Sequence, residues 1–239
     1  MIIPTRLFDY LYHIGTLKES DKKTHSLEGN TLSVSPCPDA WSYIAKLGGA
    51  PTWKISNQTP LILIDLYNFI QQRRTTIMEW SISQNLGYMG TTYNVLMVNE
   101  SDEINYMECN TLKEAMDEIS DPDNVLITDS KNKAHNAYNN NNEVILQKQD
   151  IILTQECMQH HRIAYSTNGI DNLAALYAET HFSAHIHGIW WNDIYSPNRY
   201  SAPRGGILYQ HLPNLTITPE SSMPIDHIDI PAIKQLSIP

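Results

Sequence analysis

Tyr12-His13 runs into Gly15-Thr16 with a single residue, Ile14, between the imidazole and the glycine. A histidine at the end of an apolar stretch, followed by a glycine that lets the main chain approach a ligand, offers an imidazole and free backbone groups to a sugar or a phosphate. Ser33-Val34-Ser35 follows as a short polar strand whose two hydroxyls share one face, because side chains alternate along a strand. In the second half of the chain Gly188-Ile189-Trp190-Trp191 leads to Asp193, and Ser201-Ala202-Pro203-Arg204-Gly205-Gly206 comes next. Of two adjacent tryptophans on a strand one faces the core and the other faces outward. Trp191, taken as the outward one, can stack on a flat ring. Arg204 beside two glycines presents a guanidinium fork next to exposed N–H groups, a natural anion or pyrophosphate site.

Each of these residues also has a plainer reading. His13 fits a hydrogen-bonded histidine at a strand end, Ser33 and Ser35 fit any half-exposed strand, and Asp193 fits a helix or turn cap. Arg204 fits a solvated side chain in a proline-glycine turn, and Trp190-Trp191 fits core packing on a sheet covered on both faces. His181, His185 and His187, with His160 and His161, invite a metal assignment. No cysteine or acid stands at a partner spacing, so they read as surface histidines and no metal is assigned. Cys37 follows Pro36 near a helix start, where a thiolate is favoured, but no His-Asn or His-Asp arrangement supports a nucleophile.

The elements that must hold these groups follow from pattern. Residues 7–13 read as a strand ended by Gly15, residues 18–30 as a loop and residues 32–35 as a second strand. Residues 40–47 predict a helix closed by Gly48-Gly49, and residues 53–55 a short strand. Residues 61–85 keep a period closer to 3.6 than to 2, which predicts a helix in one or two pieces. Residues 87–92 read as a turn, and residues 93–99 as a strand in a hairpin with 103–108 across Ser101-Asp102. Thr111 and Glu114 make a capping box for a helix over 112–119, and 125–127 is a strand. Residues 129–143, amide-rich through Asn139-Asn140-Asn141-Asn142, predict a mobile loop. A strand over 144–153, a helix over 171–180 after Asn168-Gly169, and a strand over 188–191 follow. A loop punctuated by Pro197, Pro203 and Gly205-Gly206 then precedes a strand at 207–209. The tail from Pro219 is proline-spaced and expected to lie extended on the surface.

Composition bounds the alternatives. The 239 residues, 41% of them hydrophobic, suffice for one elaborated α+β domain spanning 1–239. A formal charge of −10 repels phosphate backbones, so duplex DNA is not an expected partner. The cysteines Cys37, Cys109 and Cys157 are odd in number and widely spaced, which argues against a disulfide scaffold and suits a reducing cytoplasm. No run reaches the ~18 apolar residues of a membrane span, and residues 1–9 lack the apolar stretch of a secretion signal.

The order Tyr12-His13-Ile14-Gly15-Thr16, Leu32-Ser33-Val34-Ser35, and a helix leading into Gly188-Ile189-Trp190-Trp191-Asn192-Asp193 resembles the ADP-ribosyltransferase-like superfamily. The resemblance covers roughly 70 residues in short islands. It implies a split, mostly antiparallel central sheet flanked by helices, and NAD as substrate. His13 would bond the ribose, Gly15 and Thr16 would lie beside the nicotinamide amide, and Ser33 and Ser35 would line the cleft floor. Trp191 would stack on a ring and Arg204 would hold the pyrophosphate. As nicotinamide leaves, an oxocarbenium-like ribose gains most from a fixed anion; Asp193 is the first candidate and Glu179 the second. The chain departs from the family pattern in the inserted Ile14 and in having no Glu-x-Glu pair after the late strands. The expected activity is transfer of ADP-ribose from NAD to a protein or nucleic-acid acceptor, or NAD cleavage, by a bacterial or phage-type intracellular enzyme. The expectation from another class is a non-enzymatic acidic binder of inhibitor, immunity or anti-defence type. It would place the acid-rich stretches 100–108 and 114–123 against a basic partner.

Overall fold

The computed structural model describes residues 1–18, 30–98, 104–109, 111–161, 169–194, 202–221 and 230–238. The hairpin turn expected at Ser101-Asp102, the break at Asn168, Pro197, Ser201 and most of the loop expected over 18–30 lie outside the described residues.

A long apolar run can be a strand with both faces buried, and three strands of this chain use that option. The first sheet contains β1 (Ile2–Ile14), β2 (Thr31–Val34), β3 (Thr52–Asp65), β8 (Gly188–Asn192), β9 (Arg204–Leu208), β10 (Thr216–Glu220) and β11 (Lys234–Ser237). Its order is β11-β1-β3-β8-β9-β2, with β10 on the first half of β3. A bridge between Tyr12 and Ser35, with two backbone hydrogen bonds of 2.9 Å, brings β2 back to β1. Five strands thereby close into a ring, and each contributes to the core inside it: Phe8 and Leu11, Leu32 and Val34, Leu61 and Leu63, Trp190, and Ile207. The neighbours Ile64, Ile189 and Leu208 point out of the ring into a second core. On β1 a register shift between Phe8 and Tyr10 puts Phe8 and Leu11 on the same inner face.

The second core is built on α2 (Leu66–Ser83) and α6 (Gly169–Phe182). Ala174 and Ala178, one turn apart and fully buried, let the helices approach closely. Phe69 meets Tyr177 and Phe182 at ring-centroid distances of 6.1 and 5.9 Å. The second sheet has the order β5-β4-β7-β6, from β4 (Gly87–Val98), β5 (Ile104–Cys109), β6 (Val125–Thr128) and β7 (Glu143–Leu153). Adjacent residues again face opposite ways. Val95 and Ile145 pack with Ala115 of α3 (Leu112–Asp117), whereas Leu96 and Val144 pack with Ala134 of α4 (Lys131–Asn139). Ile151 and Leu153 at the end of β7 join the second core. Two short helices, α1 (Pro38–Ile44) and α5 (Gln155–His160), and two 3-10 turns at Pro122–Asn124 and Tyr209–Asn214 complete the described elements.

The architecture is mixed α and β, with sheets of mixed strand orientation flanked by helices. Among the described pairings only β3 with β8 and β6 with β7 are parallel. No described helix is long and apolar enough to cross a membrane.

Several expectations are corrected. Residues 61–65 end a strand rather than begin a helix; Asp65 is the cap, its Oδ1 accepting the Asn68 N–H at 3.0 Å. Residues 87–92 belong to β4, paired along their length with β7, rather than to a turn. The stretch expected as a mobile loop carries α4, capped by the Ser130 hydroxyl, with Ala134 buried on β7. Of the tail expected to lie extended on the surface, Pro219 and Glu220 end β10, which pairs with β3, and β11 is hydrogen-bonded to the edge of β1. The packing of α2 on α6 gives a direct test. Phe69→Ala should cost about 3–5 kcal/mol in a urea unfolding experiment, and a loss below about 1 kcal/mol would mean that this helix pair is not the core described.

Candidate functional site

An arginine inside a sheet must satisfy its guanidinium or neutralise the cost of burying it. Arg6 of β1 is 6% exposed. Its Nε donates to Asp65 Oδ2 at 2.7 Å, Nη1 to the Pro231 carbonyl at 2.7 Å and Nη2 to Asp193 Oδ2 at 2.5 Å. The other oxygen of Asp193 accepts from Trp190 Nε1 at 2.6 Å. Asp193 is therefore fixed through both oxygens, although its side chain remains 51% exposed. It lines a cavity of about 210 Å³ with Tyr67, Asn68, Trp191 and Asn192. Tyr67 and Trp191 also line a second cavity, of about 300 Å³, whose far side carries Gln71, Arg74 and Asp171. The N-terminal turns of α2, the start of α6 and the end of β8 thus frame two adjoining spaces with a shared aromatic boundary.

Behind the second cavity lies a cluster of charges. Arg74 pairs with Asp150, and Lys148 reaches Asp150 at 2.8 Å and Glu108 at 3.7 Å. Burial alone would raise the Asp150 carboxyl. The hydrogen bonds from Lys148 and the Ile151 N–H, with the charges of Lys148 and Arg74, outweigh it and hold the group below its ordinary value. Burial pushes Glu108 up against the opposing pull of Lys148. Asp171, in the first turn of α6, is pushed up to about 6 by burial and by the nearby Glu108 carboxylate, against Arg74 and Lys148.

The residues singled out in the sequence fall into neighbouring but distinct places. His13 is 7% exposed, and its two ring nitrogens face backbone carbonyls, Nδ1 that of Ser33 at 2.7 Å and Nε2 that of Thr16 at 2.9 Å. Gly15 takes φ +118°, a conformation that favours glycine, and is held by the Pro51 carbonyl and by Trp53 Nε1. The Thr16 hydroxyl accepts the Lys18 N–H at 3.2 Å. Ser35 donates to the Pro203 carbonyl at 2.5 Å, and the buried Ser33 hydroxyl has no hydrogen-bond partner among the described residues. The Arg204 guanidinium lies 4.8 Å over the Trp41 ring, and Arg204 pairs in register with Asn192.

The ends of β1, β2, β9 and β8 thus lie side by side, with β2 and β9 between the strand that carries His13 and the one that leads to Asp193. Their side chains do not share one face. His13 points the same way as Leu11, into the ring, whereas Ser33 and Ser35 alternate with the inward Leu32 and Val34. Trp191 and Asp193 do line one cavity. Gly205-Gly206 does not form an anion-binding turn: both lie in β9, where a Cβ on Gly205 would come 2.5 Å from the Ile189 carbonyl and one on Gly206 2.1 Å from Thr31 Oγ1. Glu179 accepts from the Asn30 amide at 2.9 Å, away from both cavities. His181 stacks on Tyr177, and no set of three or more metal-ligating side chains is gathered among the described residues.

Arg6, Tyr67, Arg74 and Asp171 carried no spacing signal in the sequence. An acid in the first turn of a helix reads as an ordinary dipole partner. No family model, curated protein or solved structure matches the chain.

Asp171 has a linkage consequence. A carboxyl raised in the fold contributes stability below its unfolded value of 3.8, and that contribution is lost as pH rises through about 6. Asp171→Asn should therefore raise stability by about 2 kcal/mol at pH 8 and leave it unchanged near pH 3. Urea unfolding across that range checks it, and a pH-independent effect would refute the assignment.

Proposed function

We propose that the chain acts on NAD, cleaving its N-glycosidic bond and passing ADP-ribose to a macromolecular acceptor or to water. One observation carries this reading: a carboxylate fixed through both oxygens, Asp193, lines a cavity together with Trp191 and Tyr67. Departure of nicotinamide builds positive charge on the ribose, and an anion already held in place stabilises that charge without reorganising. One guanidinium serves both Asp65 and Asp193, so the group of three keeps a net negative charge. The aromatic faces of Trp191 and Tyr67 suit the cationic ring of the bound substrate. The order of motifs supports the same reading through its resemblance to the ADP-ribosyltransferase-like superfamily, whose fold forms part of the proposal. So does the adjacency of the strand ends that bear His13, Ser33, Ser35, Arg204 and Asp193.

In this reading Asp193 is the catalytic anion and Arg204 supplies the cation for the pyrophosphate. His13, whose two ring nitrogens face main-chain carbonyls, positions the turn bearing Gly15 and Thr16. The test is release of nicotinamide from NAD by the purified chain. Asp193→Asn should slow release about 100-fold, and Tyr67→Ala, which removes an exposed side chain, should raise KM several-fold with the fold intact. A wild-type chain that releases no nicotinamide, or an Asp193→Asn chain with an unchanged rate, defeats the reading.

A further inference from the structure

The cavity between α2 and the start of α6 adjoins the space beside Asp193 and is lined by Arg74 and Asp171, and the charge cluster to which these two belong does not balance. Three carboxylates, those of Glu108, Asp150 and Asp171, meet two cations, Arg74 and Lys148. Both cations are bonded to other acids: Arg74, which also lines the cavity, to Asp150, and Lys148 to Asp150 and Glu108. Asp171 makes no hydrogen bond and no ion pair among the described residues, yet it lines the cavity. Among the described residues Asp171 is therefore the one of these three carboxylates without a bonded cation, at the edge of a space of about 300 Å³, although the charges of Arg74 and Lys148 act on it.

The walls restrict what could supply that charge. A hard metal ion needs a set of oxygen ligands, and no group of three or more candidate ligands is gathered among the described residues. Tyr67 and Trp191 instead offer two aromatic side chains, with Ile70 and Ile170 adding apolar surface. Tyr67 is 69% exposed, so its ring is open to a ligand arriving from solvent. An aromatic wall beside an unpaired carboxylate attracts a cation that carries its own apolar surface, through its ring quadrupoles and the fixed negative charge together.

We propose that this cavity binds a small organic ammonium ion, its charge paired with Asp171 and its methyl or methylene groups lying against Tyr67 and Trp191. The site does not depend on the NAD reading, because neither Asp193 nor any part of a nucleotide enters the argument. Binding would give Asp171 a directly paired cation, so it should follow the ionisation of that carboxyl. Glu108 of β5, Lys148 and Asp150 of β7 and Arg74 of α2 face the same carboxylate and shape its titration.

The experiment is calorimetric titration of the full chain with choline chloride, with sodium chloride as ionic-strength control and 3,3-dimethylbutan-1-ol as the uncharged isostere. Choline should bind with millimolar affinity and the isostere should bind at least about tenfold more weakly. Asp171→Asn, which is expected to fold at least as well as the wild type, should lose the preference for the cation. Tyr67→Ala should weaken choline several-fold while keeping that preference. Affinity for choline should fall as pH is lowered through about 6, where Asp171 takes up its proton. Absence of choline binding, equal binding of the isostere, or an unchanged preference in Asp171→Asn each overturns the proposal.

Discussion

A single buried guanidinium sets the geometry on which both cavities depend. Burying an ion costs several kcal/mol unless its partners are well placed, and Arg6 meets three acceptors on three separate parts of the chain. One is Asp65, which ends β3 and caps α2, so the bond fixes where α2 starts and where Tyr67 is presented. Another is Asp193, just beyond β8, and the third is the Pro231 carbonyl, shortly before β11. Removing the guanidinium would leave Asp65 buried without its charge partner and would release the start of α2, the end of β8 and the final strand together. The interaction is a constraint of position more than a source of net stability, since ion pairs of this kind roughly offset their own desolvation.

The ring of strands divides adjacent side chains between two cores, which is why neighbouring residues of one type have unlike roles. Trp190 stacks inside on Phe8 at 4.8 Å and also holds Asp193 by its indole N–H, whereas Trp191 faces outward and bounds both cavities. The glycines of β9 belong to the same geometry. Gly205 lets that strand lie against β8, and Gly206 leaves room for Thr31 and for the edge of the Trp191 ring, 3.0 Å from where a Cβ would stand. A side chain at either position would push Trp191 or its strand away from the aromatic boundary.

Legibility in the sequence followed the physics of each segment. Strands at 7–13, 32–35 and 188–191 and helices at 112–119 and 171–180 could be read because period, caps and breakers agreed; Thr111 does accept the Glu114 N–H, at 3.1 Å. Residues 61–65 could not, because a strand buried on both faces loses the alternation that distinguishes it from a buried helix. The amide-rich stretch before β7 looked unable to order itself, yet one buried alanine, a serine cap and a strand to pack on suffice for α4. Gly87 and Gly90 suggested a turn, but they are strand positions where a Cβ would meet the Ile151 and Ile152 side chains of β7 within 3.0 Å. Trp191 and Asp193 were visible as a local motif. Their partners were not, because Arg6 and Tyr67 lie far away in the chain and only closure of the sheet brings them together.

The two carboxylates that line the cavities show how a fold divides its charges. Asp193 is bonded through both oxygens, and its contacts with Arg6 and Trp190 also hold the chain together, so its geometry is already determined before any ligand arrives. Asp171 has neither bond, and burial penalises its charged form. An amide there would be better tolerated at neutral pH, because it carries no charge for burial to penalise. A carboxylate placed where the fold disfavours its charge, beside a space lined by Tyr67 and Trp191, is the arrangement on which the proposed ammonium site rests. The same aromatic boundary separates it from Asp193. Tyr67 and Trp191 belong to the lining of both spaces, so a change in either ring alters the shape of both.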